Sequence, residues 1–113
     1  MKYSEKLANR IREALVDVPN VEEKPMFGGL CFMVDDKMCI CCTRGTEIMC
    51  RIGPEEFDKA VEKPGTRPMV HGGRALKGYL YVDEAALVKK AEFDYWINTS
   101  LAYNKIAKSS KNK

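Results

Sequence analysis

Apolar residues recur at spacings of three and four at the start of the chain. Tyr3, Leu7, Ile11, Leu15 and Val18 fall on one side of a helix. Ser4 is the expected N-cap, and Glu5 suits the positive end of the helix dipole. Pro19 disfavours helical geometry in the residue before it, so the helix should end near Val18. The period then drops to two. Residues 21–27 suit a short edge strand, because Pro25 has no N–H to give to a ladder, and Gly28-Gly29 permits a bend. Residues 30–34, 38–43 and 47–52 read as three strands of an antiparallel meander, turning at Asp35-Asp36 and Arg44-Gly45-Thr46. The third strand alternates, with Glu47, Met49 and Arg51 on one face and Ile48, Cys50 and Ile52 on the other. The first two strands are apolar on both faces, with Leu30, Phe32 and Val34 opposed by Cys31 and Met33. That pattern fits a strand covered on both sides, or a sheet face that meets a partner or a second copy of the chain. Cys31, Met33, Met38 and Ile40 are the candidate partner surface.

Gly53-Pro54-Glu55-Glu56 is a helix start, with proline at the first helical position and two carboxylates at the positive end. Phe57, Ala60 and Val61 form its buried stripe, and Pro64-Gly65 closes it. Residues 64–78 are loop-rich, with a short strand expected over 68–71 and a turn at Gly72-Gly73. A strand follows over 79–82, starting a few residues earlier. Asp83 can cap a helix that begins at Glu84. A last helix from about Glu92 buries Phe93, Trp96, Ile97 and Leu101. The pattern predicts an α+β, two-layer domain. An antiparallel sheet, a meander of three strands plus a later strand or hairpin, carries an N-terminal helix, a middle helix and C-terminal helices packed against it. One domain over 1–107 is expected, with a frayed basic tail over 108–113.

Composition narrows the function classes. A chain of 113 residues, 45% hydrophobic and 31% charged, fits one globular domain. The net charge of +3 is too mild to mark a nucleic-acid binder by itself. Charges recur through the first fifteen residues, which excludes a signal peptide, and no apolar run could cross a bilayer. A cytoplasmic protein with no membrane contact is expected. Its five cysteines should then be reduced and act as small hydrophobes.

Candidate chemistry is sparse. Cys39 and Cys42 form a C-x-x-C spacing, but three steps along a regular strand put them on opposite faces; a two-residue second turn would set Cys39 opposite Cys50 and close to Phe32. Neither a zinc site nor a thioredoxin-like motif is expected there. His71 is the single histidine and has no evident nucleophilic partner. The diglycines match no phosphate-binding loop. No catalytic residue, cofactor or metal is therefore expected. Arg44, Arg51, Arg67, Arg74 and Lys77 are the candidate anion or nucleic-acid patch, should the loop fold over the sheet.

Five motifs recur in order: Met26-Phe27-Gly28-Gly29, Phe32-Met33-Val34-Asp35, Arg51-Ile52-Gly53-Pro54-Glu55, Arg67-Pro68-Met69 and Lys77-Gly78-Tyr79-Leu80-Tyr81-Val82. With the closing helix around Trp96, they resemble the N-terminal domain of the TfoX/Sxy family over residues 3–105. The resemblance implies a small two-layer α+β fold without catalytic residues. It also implies a regulatory or adaptor role in transcription, through contacts with transcription machinery or the cyclic-AMP receptor protein. Longer members of that family promote competence and carry a second, C-terminal domain; this chain is expected to be the first domain alone. Two other classes stay open: direct low-specificity nucleic-acid binding through the arginines and the tail lysines 105, 108, 111 and 113, and a thiol-based redox or metal protein. A homodimer is a further expectation.

Overall fold

A computed structural model describes residues 3–26, 28–43 and 45–107. Phe27, Arg44 and the tail over 108–113 lie outside the described residues.

The first helix, α1 (Glu5–Ala14), is capped by Ser4, whose hydroxyl accepts from the Leu7 N–H at 3.2 Å. It stops at the C-cap Leu15, a turn before the proline that was expected to end it. Six strands follow: β1 (Val21–Met26), β2 (Gly29–Val34), β3 (Lys37–Cys42), β4 (Glu47–Arg51), β5 (Thr66–His71) and β6 (Arg74–Asp83). They form one sheet in the order β1-β2-β3-β4-β6-β5, with every neighbouring pair antiparallel. Helix α2 (Pro54–Ala60) joins β4 to the β5–β6 hairpin, and α3 (Lys90–Asn104) closes the chain. The predicted helix at Glu84 is a single 3₁₀ turn, Glu84–Leu87, capped by Asp83. The loop-rich stretch from residue 64 supplies a full edge strand, β5, longer than the short strand expected over 68–71. Both edge strands carry a proline, Pro25 in β1 and Pro68 in β5.

All three helices pack on one face. Leu7, Ala8, Ile11 and Leu15 from α1, Phe57 and Ala60 from α2, and Phe93, Trp96 and Ile97 from α3 enclose Leu30, Phe32, Ile40, Ile48, Leu80 and Val82 of the sheet. In α3 two polar residues sit in the buried stripe beside the expected apolar ones: Ser100 and Asn104. Asn104 earns its burial by donating from Nδ2 to the Val34 carbonyl at 3.2 Å, which ties the end of α3 to the end of β2.

Two local geometries set the frame. The β2–β3 turn puts Asp35 and Asp36 at φ 54° and 64°, the left-handed pair of a type I′ turn, which aspartate tolerates better than most residues. Asn20 fastens that turn, donating from Nδ2 to Asp35 Oδ1 at 2.8 Å. At the β4–α2 junction Gly53 adopts φ 88° and ψ 157°, and a Cβ there would run into the Tyr103 ring. The Gly78 carbonyl accepts from the N–H groups of Ile52 and Gly53 at 2.8 and 3.2 Å, so the junction is held against β6.

Candidate functional site: the helix-free face of the sheet

Among the described residues, no helix contributes to the opposite face. Its side chains form a second buried cluster, Cys31, Met33, Cys41 and Met49, bordered by half-buried Met26, Met38, Met69, Tyr79 and Tyr81. Strand register builds it. One row crosses the whole sheet: Lys24 of β1 faces Cys31, Cys31 faces Cys41, Cys41 faces Met49, Met49 faces Tyr81, and Tyr81 faces Arg67 of β5. Beside it Met33 pairs with Met38, and Arg51 with Tyr79.

A bulge decides which residues reach this face. From the two-residue turn, Val34 pairs with Lys37 and Met33 with Met38, but Phe32 pairs with Ile40, so Cys39 is an extra residue in β3. Beyond it every β3 residue is displaced by one. Ile40 turns to the helix side, where it is fully buried, and Cys41 takes its place opposite Cys31. The candidate surface of Cys31, Met33, Met38 and Ile40 is thus corrected at Ile40, and Cys31 and Met33 are themselves covered by their neighbours, at 0% and 3% exposure.

The same bulge overturns two expectations about the thiols. Cys39 and Cys42 lie on one face, not two, together with Cys50, and Cys50 stands opposite Ile40, not Cys39. Burial pushes all three thiols up to about 12, since a thiolate would be desolvated in the core. Arg51 opposes the shift at Cys39, and the buried Ser100 hydroxyl, which has no hydrogen-bond partner of good geometry, opposes it at Cys50. Protonated thiols are poor nucleophiles and poor ligands. Among the described residues no three His, Cys, Asp or Glu side chains are placed to hold a metal ion. Cys31 and Cys41 are not free thiols, as had been expected, but joined by a disulfide between β2 and β3, with Cα atoms 3.9 Å apart. Nothing in the run KMCICC discloses this, because an unbulged hairpin would set Cys31 against Ile40.

Two arginines border the face. Arg67 lies 4.3 Å from the Tyr81 ring centroid and donates to both Glu47 carboxylate oxygens, at 2.7 and 2.8 Å from Nη2. Arg51 lies 5.8 Å from the Tyr79 centroid and 5.7 Å from that of Tyr103. The other candidate cations go elsewhere. Lys77 pairs with Asp58 of α2 at 3.2 Å, and Arg74 sits at the exposed end of the β5–β6 hairpin. Among the described candidates, Arg67 and Lys77 are thus paired with carboxylates on different elements, Glu47 of β4 and Asp58 of α2, and Arg74 lies apart at the hairpin end. No helix among the described residues is long and apolar enough to cross a membrane.

Comparison with known proteins agrees with this architecture. No curated protein matches the chain. A crystal structure of a structural-genomics protein from Pseudomonas syringae superposes with a TM-score of 0.63 at 14% identity, covering 85% of this chain and 97% of the other. At that identity the likeness concerns the fold alone. The profile of the TfoX N-terminal domain matches residues 13–103, from α1 through nearly all of α3. With the whole sheet and all three helices inside or overlapping that span, the chain belongs to the TfoX N-terminal domain family.

Proposed function

We propose that this chain is a regulatory or adaptor domain without catalytic activity of its own, acting by protein–protein contact in transcriptional control. Family membership over residues 13–103 is the observation that carries the reading. The partner class follows the family: transcription machinery, with the cyclic-AMP receptor protein as the first candidate. The helix-free face suits such a contact, since half-buried Met38, Met69, Tyr79 and Tyr81 stand beside Arg51 and Arg67 there. Adaptable thioethers, aromatic rings and arginines are enriched in protein interfaces.

The test is crosslinked affinity capture from the native cell, with and without a nuclease wash, scored for RNA polymerase subunits and the cyclic-AMP receptor protein. Retention that survives nuclease, and that falls for Met38→Glu on the rim, is the expected result. Retention abolished by nuclease would transfer the role to nucleic-acid binding. Absence of both proteins from the capture would overturn the reading.

A further inference from the structure

The five internal methionines, Met26, Met33, Met38, Met49 and Met69, all belong to the cluster on the helix-free face. Among the described residues the helix-side core contains no methionine and is built mainly from leucine, isoleucine, valine, phenylalanine and tryptophan, with three thiols. Conversely, among the described residues the second cluster has no leucine, isoleucine, valine or phenylalanine. Packing does not require this division, because β-branched residues suit strands better than methionine does. What methionine adds is a soft, polarizable thioether sulfur.

Those methionines share their cluster with a cysteine pair. Cys31, Cys41 and Met49 are consecutive members of one cross-strand row on β2, β3 and β4, and Met33 lies two residues from Cys31 on the same face. Directly opposed residues in a ladder have Cβ atoms about 5 Å apart, within reach of a shared ion. The four are buried, while Met26, Met38 and Met69 on the border are half-buried and give further sulfur donors between solvent and centre. Lys24 stands at the end of the row, opposite Cys31. No third His, Cys, Asp or Glu is placed to complete a zinc-type site among the described residues, so thioethers must fill the shell.

We propose that the reduced Cys31/Cys41 pair, completed by Met49 and Met33, is a binding site for a soft monovalent metal ion, with Cu(I) as the ion whose preferences this donor set meets. The disulfide must first be opened. Two equivalents of a small-molecule thiol supply two electrons and two protons; the sulfur–sulfur bond breaks, both cysteines become thiols, and the reductant leaves as its own disulfide. Cu(I) then displaces both thiol protons to solvent and forms two Cu–S bonds without changing oxidation state. The bis-thiolate centre carries one net negative charge.

The test is anaerobic. Protein is reduced with a dithiol, freed of it, and titrated with Cu(I) against a chromogenic bidentate chelator. The expected result is one Cu(I) per chain with an all-sulfur shell by X-ray absorption. Affinity should fall at least ~100-fold in the double variant Cys31→Ser/Cys41→Ser and about 10-fold in Met33→Leu/Met49→Leu. Cys42→Ala, on the other face, should leave it unchanged. If the double serine variant does not fold, the volume-conserving methionine pair decides the matter. Failure to compete with the chelator, affinity that follows Cys42, or oxygen and nitrogen donors in the shell would each overturn the assignment.

Discussion

Deleting one residue from a central strand ordinarily turns every side chain beyond it to the wrong face. The bulge in β3 makes an exception of Cys39. Removing Cys39 lets Ile40 follow Met38 directly, so that Ile40 and Cys42 keep the helix side and Cys41 keeps its place opposite Cys31. The loss is one buried thiol side chain, about 1–2 kcal/mol, against a regained regular ladder worth roughly 0.5–1.5 kcal/mol for each hydrogen bond. The net cost should stay within ~2 kcal/mol. Deleting Met49 from β4 is the contrast, because no surplus residue is present there. If the register slips toward the preceding turn, Ile48 leaves the core and forfeits about 1.5–3 kcal/mol. Glu47 is then driven inward, and a carboxylate shifted by ~3–5 pKa units on burial adds roughly 4–7 kcal/mol. The total approaches the whole stability of a small domain, about 5–15 kcal/mol. Urea unfolding, followed by Trp96 fluorescence and circular dichroism, reads both variants. With a slope of about 1–3 kcal/mol per molar urea, the Cys39 deletion should move the midpoint by no more than about 1–2 M. The Met49 deletion should show no cooperative transition. A Cys39 deletion that unfolds the protein as completely as the Met49 deletion would refute the bulge and the face assignments built on it.

Gly53→Ala forces a side chain into a backbone region reserved for glycine and against the Tyr103 ring, at about 2–4 kcal/mol by thermal melting. Asn104→Ala leaves the Val34 carbonyl without its side-chain donor, costing about 1–3 kcal/mol. Cys39, Cys42 and Cys50 are raised from an ordinary value of 9.0 to about 12 in the folded state. An unfolded thiol gives up its proton above pH 9 while the folded one keeps it, so their contribution is fully present below pH 9 and is lost as pH rises toward 12. Urea midpoints should fall from pH 9 upward, less steeply in Cys50→Ala, and the three thiols should resist alkylation at neutral pH until the chain unfolds.

The amphipathic stripes of α1 and α3 were legible in the sequence because a helix needs only its own residues to declare its buried side. The Gly-Pro-Glu-Glu start of α2 and the Asp35-Asp36 turn were legible for the same local reason. Sheet faces are different. Leu30 to Val34 and Met38 to Cys42 are apolar throughout, so no alternation exists to fix their register. The one displaced residue, Cys39, is set by pairing with β2 and by the core beneath it. That displacement sent Ile40 to the helix side, brought Cys41 opposite Cys31, and gathered Cys39 and Cys42 on one face. Strand β5 was only partly recognised for a related reason: its proline and the glycines near it read as loop until β6 offers it a partner. The segregation of methionine was in plain view as spacing, but it carried no meaning until the faces were known.

The prolines of β1 and β5 bear on how such molecules behave in a crowd. An open antiparallel sheet has two unpaired borders, each a template on which a foreign strand could settle. Pro25 and Pro68 break both templates: a proline offers no N–H, and its ring occupies the space an incoming carbonyl would need. The register shift next to Pro68 breaks the β5 border further. Growth of fibres by edge-to-edge addition is thereby discouraged at both ends, even at high concentration. Any association of this domain, with itself or with another protein, is left to its faces.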